Sequence, residues 1–131
     1  KEQEITQKYI DDFRTKVTGQ EQSCGSLSGG NQQKVVIGRC LSSLPKLVIL
    51  DEPTRGIDAA ARGDVYSIIL ELKKKGVAIM LISSDMEEII ELSDRAVVMF
   101  QGHVTRTLSK SKIDQNTLMN ASFDVKEEGE G

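Results

Sequence analysis

The sequence predicts an α/β fold with a mainly parallel sheet flanked by helices, and two observations support that prediction. Two short apolar runs, KLVIL at 46–50 and VAIMLI at 77–82, have the composition of strands buried on both faces of a parallel sheet. Between them, residues 59–75 have the apolar periodicity of a helix. Strand, helix and strand in alternation are typical of α/β proteins, which bind ligands at the carboxyl ends of their strands.

The first 45 residues are predicted to form two helices joined by a loop. Apolar residues recur at helical spacing in residues 1–16, and TGQEQSCGS at 18–26 has the composition of a loop. Ser28 is the expected N-cap of a second helix that runs to about Ser43, and Pro45 ends it. The buried stripe of this helix is predicted at Val36, Cys40 and Leu44, with Ile37 and Leu41 beside them.

The remaining elements follow from the same signals. The helix at 59–75 is predicted to bury Val65, Ile68, Ile69 and Leu72 and to stop at Gly76. After it, a helix is predicted at 86–93, a strand at 95–100, a strand at 103–108 and a helix at 112–122. The end of the chain, 123–131, holds four acids and one lysine and is predicted to be a disordered acidic tail.

Composition excludes several classes of function. The 131 residues carry a net charge of −3 with no basic stripe, and aromatics make up 4%, so a nucleic-acid-binding role is not expected. No apolar run is long enough to span a bilayer. Cys24 and Cys40 form no C-x-x-C pair and only one histidine is present, so we expect two reduced thiols and no zinc site.

The stretch LVILDE brings two adjacent carboxylates to the end of a predicted buried strand. In phosphoryl transfer, Asp51 would hold Mg²⁺ through water, and Glu52 would orient and polarise the attacking water. The alternative is a strand that simply ends in a charged turn. The motif alone does not decide between the two.

The stretch LSGGNQQK places glycines in the first turn of a predicted helix. Gly29 and Gly30 lack Cβ atoms, so an anion can approach their N–H groups, and the helix dipole favours negative charge there. The Ser28 hydroxyl and Asn31 add neutral donors. The alternative is a glycine-rich loop before a well-capped helix. The phosphate-binding loop that normally accompanies these motifs, G-x-x-x-x-G-K-[ST], does not occur in the sequence.

Taken in order, the motifs resemble the C-terminal half of an ABC ATPase domain. LSGGNQQK, LVILDEP, GID and a strand ending in SSD follow one another in the order found in that family. Asn31 within SGGNQQK, the string DEPTRGID and the string SSDMEEIIELSDRAVVMFQG most resemble the second ATPase half of the fused ATPases of bacterial monosaccharide importers of the ribose and galactose type. The resemblance implies a partial P-loop NTPase fold that lacks the Walker A part. Residues 1–26 would be a remnant of the helical signature subdomain, and 27–122 the C-terminal part of the ATPase core.

The resemblance also implies how such a chain would take part in an ATP site. In ABC ATPases, two domains pack head to tail and share each site. Ser28, Gly29, Gly30 and Asn31 would therefore serve an ATP held by the partner domain, whereas Asp51 and Glu52, with Mg²⁺, would serve the site of their own domain. The isolated chain is expected to be inactive, because its own site would lack the phosphate loop.

Two further positions are interpreted through the family. Asp58, with Arg55 and Gly56, occupies the segment that crosses to the partner domain, although Asp58 is equally well placed as the N-cap of helix 59–75. Most ABC ATPases have a histidine that contacts the γ-phosphate where this chain has Ser84. A hydroxyl cannot carry charge, so this domain's own site is expected to be the weaker of the two. His103 lies beyond the next strand and is interpreted as a surface turn residue.

The implied function is to power the import of a monosaccharide by hydrolysing ATP. The implied partners are a second ATPase domain, membrane-spanning permease subunits and, indirectly, an extracytoplasmic sugar-binding protein. The implied location is the cytoplasmic face of the bacterial inner membrane. Two alternatives stay open: a non-transport ABC ATPase of DNA repair or translation, and an inactive docking module. We also expect the edges of strands 77–82 and 95–100 to be filled by a second copy of the chain, by another strand, or by pairing with each other.

Overall fold

A computed structural model of the chain describes residues 1–123. The predicted acidic tail, apart from Phe123, lies outside the described residues. The chain divides into two compact units, one from Lys1 to Ile82 and one from Ser83 onward. Among residues 1–123, no helix has the length and apolar character needed to cross a membrane.

The first unit contains three helices and two strands. They are α1 (Glu2–Asp12), α2 (Gly29–Leu41), β1 (Leu47–Asp51), α3 (Ala59–Lys74) and β2 (Ala78–Ile82), with a short 3₁₀ turn at Cys24–Ser26. The first helix ends four residues before the predicted residue 16. Arg14 has a φ of 48°, and a residue in the left-handed region does not continue a right-handed helix.

The parallel pairing of β1 with β2 runs from Leu47 opposite Ala78 to Asp51 opposite Ile82. Helix α3 packs on β2 and buries its four predicted apolar residues. Within β1, Val48 and Leu50 are buried, whereas Leu47 and Ile49 on the opposite face are 54% and 60% exposed. Met80 and Ile82 of β2 are also 53% and 43% exposed, so the prediction that both strands are buried on both faces is wrong for the described residues. Alternate side chains point to opposite faces of a strand, and the described part of this unit covers only one of them.

The buried stripe of α2 differs from the one predicted. Cys40 is exposed, Val36 is 52% exposed and Leu44 is 86% exposed. Ile37 and Leu41, which were predicted to lie beside this stripe, are buried, and the other buried residues of the helix are Gly30, Lys34 and Gly38. The prediction fails because a lysine and two glycines, which a hydrophobicity pattern assigns to solvent, lie on the packed face.

The second unit is a β-hairpin packed against two helices. Its elements are α4 (Met86–Leu92), β3 (Arg95–Phe100), β4 (His103–Ser109), a 3₁₀ turn (Lys110–Lys112) and α5 (Gln115–Ser122). Gln101 and Gly102 both have positive φ, as tight hairpin turns require. The core of this unit consists of Ala96, Val98, Leu108, Ile113, Leu118 and Ala121.

The observed strand pairing contradicts two of the three predictions for how the open strand edges are filled. Strand β2 pairs with β1, and β3 pairs antiparallel with β4. Pairing of 95–100 with 77–82 does not occur, and no other described strand joins either pair. Filling of an edge by a second copy of the chain stays a prediction.

Candidate functional site

At the N-terminus of α2, the side chain of the N-cap residue does not hydrogen-bond to the N–H groups of the first turn. Ser28 is the N-cap residue in an extended conformation, but its side chain makes no cap hydrogen bond. Its hydroxyl oxygen instead accepts a hydrogen bond from the Asn31 side-chain amide at 3.0 Å. The Asn31 side-chain oxygen in turn accepts from the Lys16 backbone N–H at 3.1 Å. Ser28 is therefore confirmed as the N-cap residue, while Asn31 ties the tip to the preceding loop.

The two glycines of this tip have different surroundings. Gly29 is exposed, and a Cβ added there would lie 3.5 Å from Ile57 Cγ2, an ordinary contact. Gly30 is buried, and a Cβ added there would overlap the Cβ of Ala61 on α3. Gly29 thus suits the predicted approach of an anion, and Gly30 is required by the packing of α2 against α3. Small residues at positions 30 and 61 are compatible with a close approach of two helices, but nothing in the sequence shows that these two residues are in contact.

Asp58 caps the neighbouring helix. Its Oδ1 accepts a hydrogen bond from the Ala61 backbone N–H at 2.9 Å, so the N-cap interpretation is confirmed. That hydrogen bond lowers the pKa of the Asp58 carboxyl, because it stabilises the charged form. The contacts of Gly29 with Ile57 and of Gly30 with Ala61 place the start of α2 beside the start of α3. The structure therefore brings Ser28, Gly29, Gly30 and Asn31 together with the segment that contains Asp58.

Replacing Asp58 tests this cap through its pH dependence. A carboxyl with a lowered pKa in the folded state stabilises the fold above the unfolded pKa of about 3.9, and this contribution is lost as the pH falls through the folded pKa. Asp58→Ala is expected to lower the melting temperature at pH 7, with a smaller difference from the parent at pH 3. Asp58→Asn, which still accepts the hydrogen bond, is expected to retain most of the stability at both pH values. A melting-temperature difference between the Ala variant and the parent that is independent of pH would contradict the assignment.

Asp51 and Glu52 lie at the carboxyl end of the β1–β2 pair. Asp51 is the exposed last residue of β1, and the Glu52 backbone N–H donates to the Ile82 carbonyl at 2.8 Å. Glu52 has a φ of 48°, a left-handed conformation that non-glycine residues seldom adopt. Such conformations cluster at functional sites. Pro53 and Thr54, which follow directly, are buried and anchor this turn.

Ser84 and His103 belong to the second unit. Ser84 is exposed and directly precedes Asp85, the N-cap of α4, whose Oδ1 accepts from the Glu87 N–H at 2.9 Å. His103 is exposed, as expected of a surface residue, but it is the first residue of β4 rather than part of the turn, and it packs edge-on against Phe100.

The donor sets suit the predicted ligands. The uncapped first turn of α2, with the exposed Ser28 and Gly29, offers N–H and hydroxyl donors that fit an anionic phosphate. Within residues 1–123, no group of three or more His, Cys, Asp or Glu side chains could hold a metal ion. Mg²⁺ is usually bound by one or two carboxylates together with phosphate oxygens and water, so the single carboxylate of Asp51 fits such an ion.

Comparison with known proteins shows homology to ABC transporter ATPases. A family model described as "ABC transporter" matches residues 2–55. The chain is 45% identical over 119 residues to the ribose import ATP-binding protein RbsA of Shouchella clausii, across 91% of this chain and 24% of that protein. The chain is homologous to ABC transporter ATPases. The RbsA of Caldanaerobacter subterraneus is 44% identical over the same number of residues, 119.

Solved structures of ABC ATPases have the same fold. The chain superposes on the ATP-binding cassette MJ1267 with a TM-score of 0.80 at 26% identity, across 93% of this chain and 48% of that one. It superposes on a dimeric cassette, MJ0796, with a TM-score of 0.72 at 20% identity, across 82% of this chain and 46% of that one. The predicted partial P-loop NTPase fold is confirmed. The chain spans about a quarter of the length of its curated ABC ATPase relatives and about half of the solved cassettes.

Proposed function

We propose that this chain forms part of an ATPase subunit that powers import of a monosaccharide. The observation that carries the proposal is the exposed, uncapped first turn of α2 in a chain that is 45% identical to a ribose import ATP-binding protein. The pair Asp51 and Glu52, held at a strand end by a left-handed backbone, supports the same chemistry.

Within this proposal, the two motifs of the first unit serve different ATP molecules. Ser28, Gly29, Gly30 and Asn31 bind the triphosphate held by a partner ATPase domain, through backbone N–H groups and neutral side-chain donors. Asp51 and Glu52 act at the site of their own domain, where Glu52 orients the attacking water and Asp51 holds Mg²⁺. When bound, Mg²⁺ neutralises charge on the phosphate oxygens.

Ser84 makes the second of these sites the weaker one. Its hydroxyl donates one hydrogen bond to a γ-phosphate, but it brings no charge. Turnover in the full-length protein is therefore expected to depend mainly on the site that Ser28–Asn31 complete. Asp58, besides capping α3, is proposed to contact the partner domain together with the exposed Arg55 and Gly56.

The proposed partners follow from the same arrangement. They are a second ABC ATPase domain in the same polypeptide, the membrane-spanning permease subunits and, through them, a sugar-binding protein. The proposed location is the cytoplasmic face of the bacterial inner membrane, peripheral to the bilayer. With a net charge of −3, nucleic acid is not a proposed partner.

Sugar uptake by cells is the direct test of this function. Cells that lack the gene for the full-length protein are expected to lose ATP-dependent uptake of at least one sugar from a panel of radiolabelled monosaccharides, and a plasmid copy is expected to restore it. Residues 1–131 alone are expected neither to hydrolyse Mg-ATP nor to bind it with micromolar affinity in calorimetry. Unchanged uptake of every sugar, accompanied by a DNA-repair or translation defect, would favour the non-transport alternative.

A further inference from the structure

Lys34 is a buried lysine that joins three parts of the first unit. Its side chain is only 3% exposed, and its Nζ lies 2.6 Å from Asp64 Oδ2 on α3. The same Nζ donates to the backbone carbonyl of Arg14, in the turn after α1, at 3.3 Å. These contacts, which we call the Lys34 clamp, hold α2, α3 and that turn together through one ammonium group.

The clamp is one level of a contact that runs along both helices. Gly29 meets Ile57, Gly30 meets Ala61 and Lys34 meets Asp64. The residue numbers rise together along α2 and α3, so the two helices lie side by side with their N-termini at the same end. Any rotation or sliding of α2 on α3 would move the ammonium of Lys34 away from Asp64.

A buried ammonium resists such movement more strongly than an apolar side chain would. The Lys34 side chain is 3% exposed although Asp64 is half exposed, so an ammonium that loses both Asp64 and the Arg14 carbonyl retains much of its desolvation penalty, and the paired geometry is preferred. An apolar residue of similar size often matches a buried ion pair in stability, but it tolerates sliding, because dispersion contacts are not directional. The charge at position 34 therefore specifies the position of α2 more than it adds to stability.

We propose that Lys34 is a positioning residue for the tip Ser28–Asn31, fixing it relative to segment 55–58. This inference rests on the proposed function of the tip. Lys34 does not contact nucleotide in this assignment; it acts through α2, by holding the donors of the tip where the partner's phosphate is bound. Asp64 and the Arg14 carbonyl are the groups through which it acts.

Steady-state ATP hydrolysis by the full-length protein tests the proposal. Lys34→Met is expected to lower kcat about tenfold, with KM for ATP changed by less than about twofold, because misplaced donors impair the transition state more than binding. Lys34→Arg keeps the charge and the donors, so it is expected to restore kcat to within about twofold of the parent. Asp64→Asn, at a half-exposed position, is also expected to lower kcat. In the double variant Lys34→Met/Asp64→Asn, kcat is expected to be no lower than in Lys34→Met alone.

A surface ion pair provides the matched control. Lys74 pairs with Glu71 at 2.9 Å on the exposed side of α3, so Lys74→Met also removes a paired lysine and is expected to leave kcat unchanged. Two results would overturn the proposal: a parental kcat in Lys34→Met, or equal losses in the Met and Arg variants. Ser28→Arg in the same assay distinguishes the role of Lys34 from the function proposed for the tip. If Ser28→Arg is inactive and Lys34→Met has the parental kcat, only the role of Lys34 is wrong; if Ser28→Arg is fully active, the function proposed for the tip is wrong.

Discussion

Ser28→Arg or Gly29→Asp in the full-length protein is expected to lower ATP turnover at least about 100-fold, the scale of losing preorganised donors at a transition state. Both residues are exposed at the start of α2; Ser28→Arg removes the hydrogen bond that the Ser28 hydroxyl accepts from Asn31, and the new Cβ of Gly29→Asp makes an ordinary contact with Ile57. The arginine side chain would cover the first-turn N–H groups, and the aspartate would repel a phosphate. The measurement is phosphate release at saturating Mg-ATP.

Matched substitutions elsewhere on the same helices serve as controls. Ser43→Arg adds the same side chain at an exposed position just after α2, and Gly63→Asp adds a carboxylate in α3 where no atom lies within 4 Å of a new Cβ. Both are expected to retain parental turnover. Circular dichroism and melting temperature are expected to match the parent in all four variants. Parental turnover in Ser28→Arg would exclude the shared-site assignment.

Gly30→Ala is expected to destabilise the chain by roughly 1–3 kcal/mol, the usual cost of adding a methyl group to a packed contact. The new Cβ would overlap the Ala61 Cβ, and neither methyl group can rotate away, so α2 and α3 must separate. The free energy of unfolding from urea denaturation of residues 1–131 measures the effect.

The decisive control exchanges the two residues, so that the methyl group lies on residue 30 and the glycine at residue 61. The double variant Gly30→Ala/Ala61→Gly restores the clearance, because the new Cβ would then face the Ala61 Cα position at an ordinary 3.6 Å. It is expected to regain most of the lost stability, because the helix propensity lost with a glycine in α3 is largely offset by the alanine gained in α2. Gly29→Ala, whose Cβ has room beside Ile57, is expected to be much milder than Gly30→Ala. A double variant as unstable as Gly30→Ala would show that the two residues do not limit the helix approach.

Elements with strong local signals were predicted accurately from the sequence. The third strand, Arg95–Phe100, has the predicted bounds, and α3 buries the four predicted residues and is followed by Gly76 with a φ of 81°. The Asp58 cap was also predicted. In each case neighbouring residues determine the conformation: alternation, periodicity, a capping carboxylate or a glycine with positive φ.

The packed face of α2 was not predictable in the same way. The predicted buried stripe includes Leu44 and does not include Lys34, whereas Leu44 is 86% exposed and Lys34 is 3% exposed. A lysine side chain is seldom buried without an ion-pair partner, and the partner of Lys34, Asp64, lies 30 residues further along the chain. A single sequence offers no means of pairing those two residues.

For the candidate site, residue type and spacing in the sequence were enough to propose which residues carry the chemistry, because they define the motifs of Ser28–Asn31 and Asp51–Glu52. Only the tertiary structure shows how these residues are held. Gly30 is needed because a Cβ there would overlap Ala61, Lys34 pairs with Asp64, and Glu52 has a left-handed backbone conformation. It also decided which face of β1 is covered, since strand periodicity specifies alternation but not which helix packs against each side. These features depend on contacts between residues distant in the sequence, and local propensity does not encode such contacts.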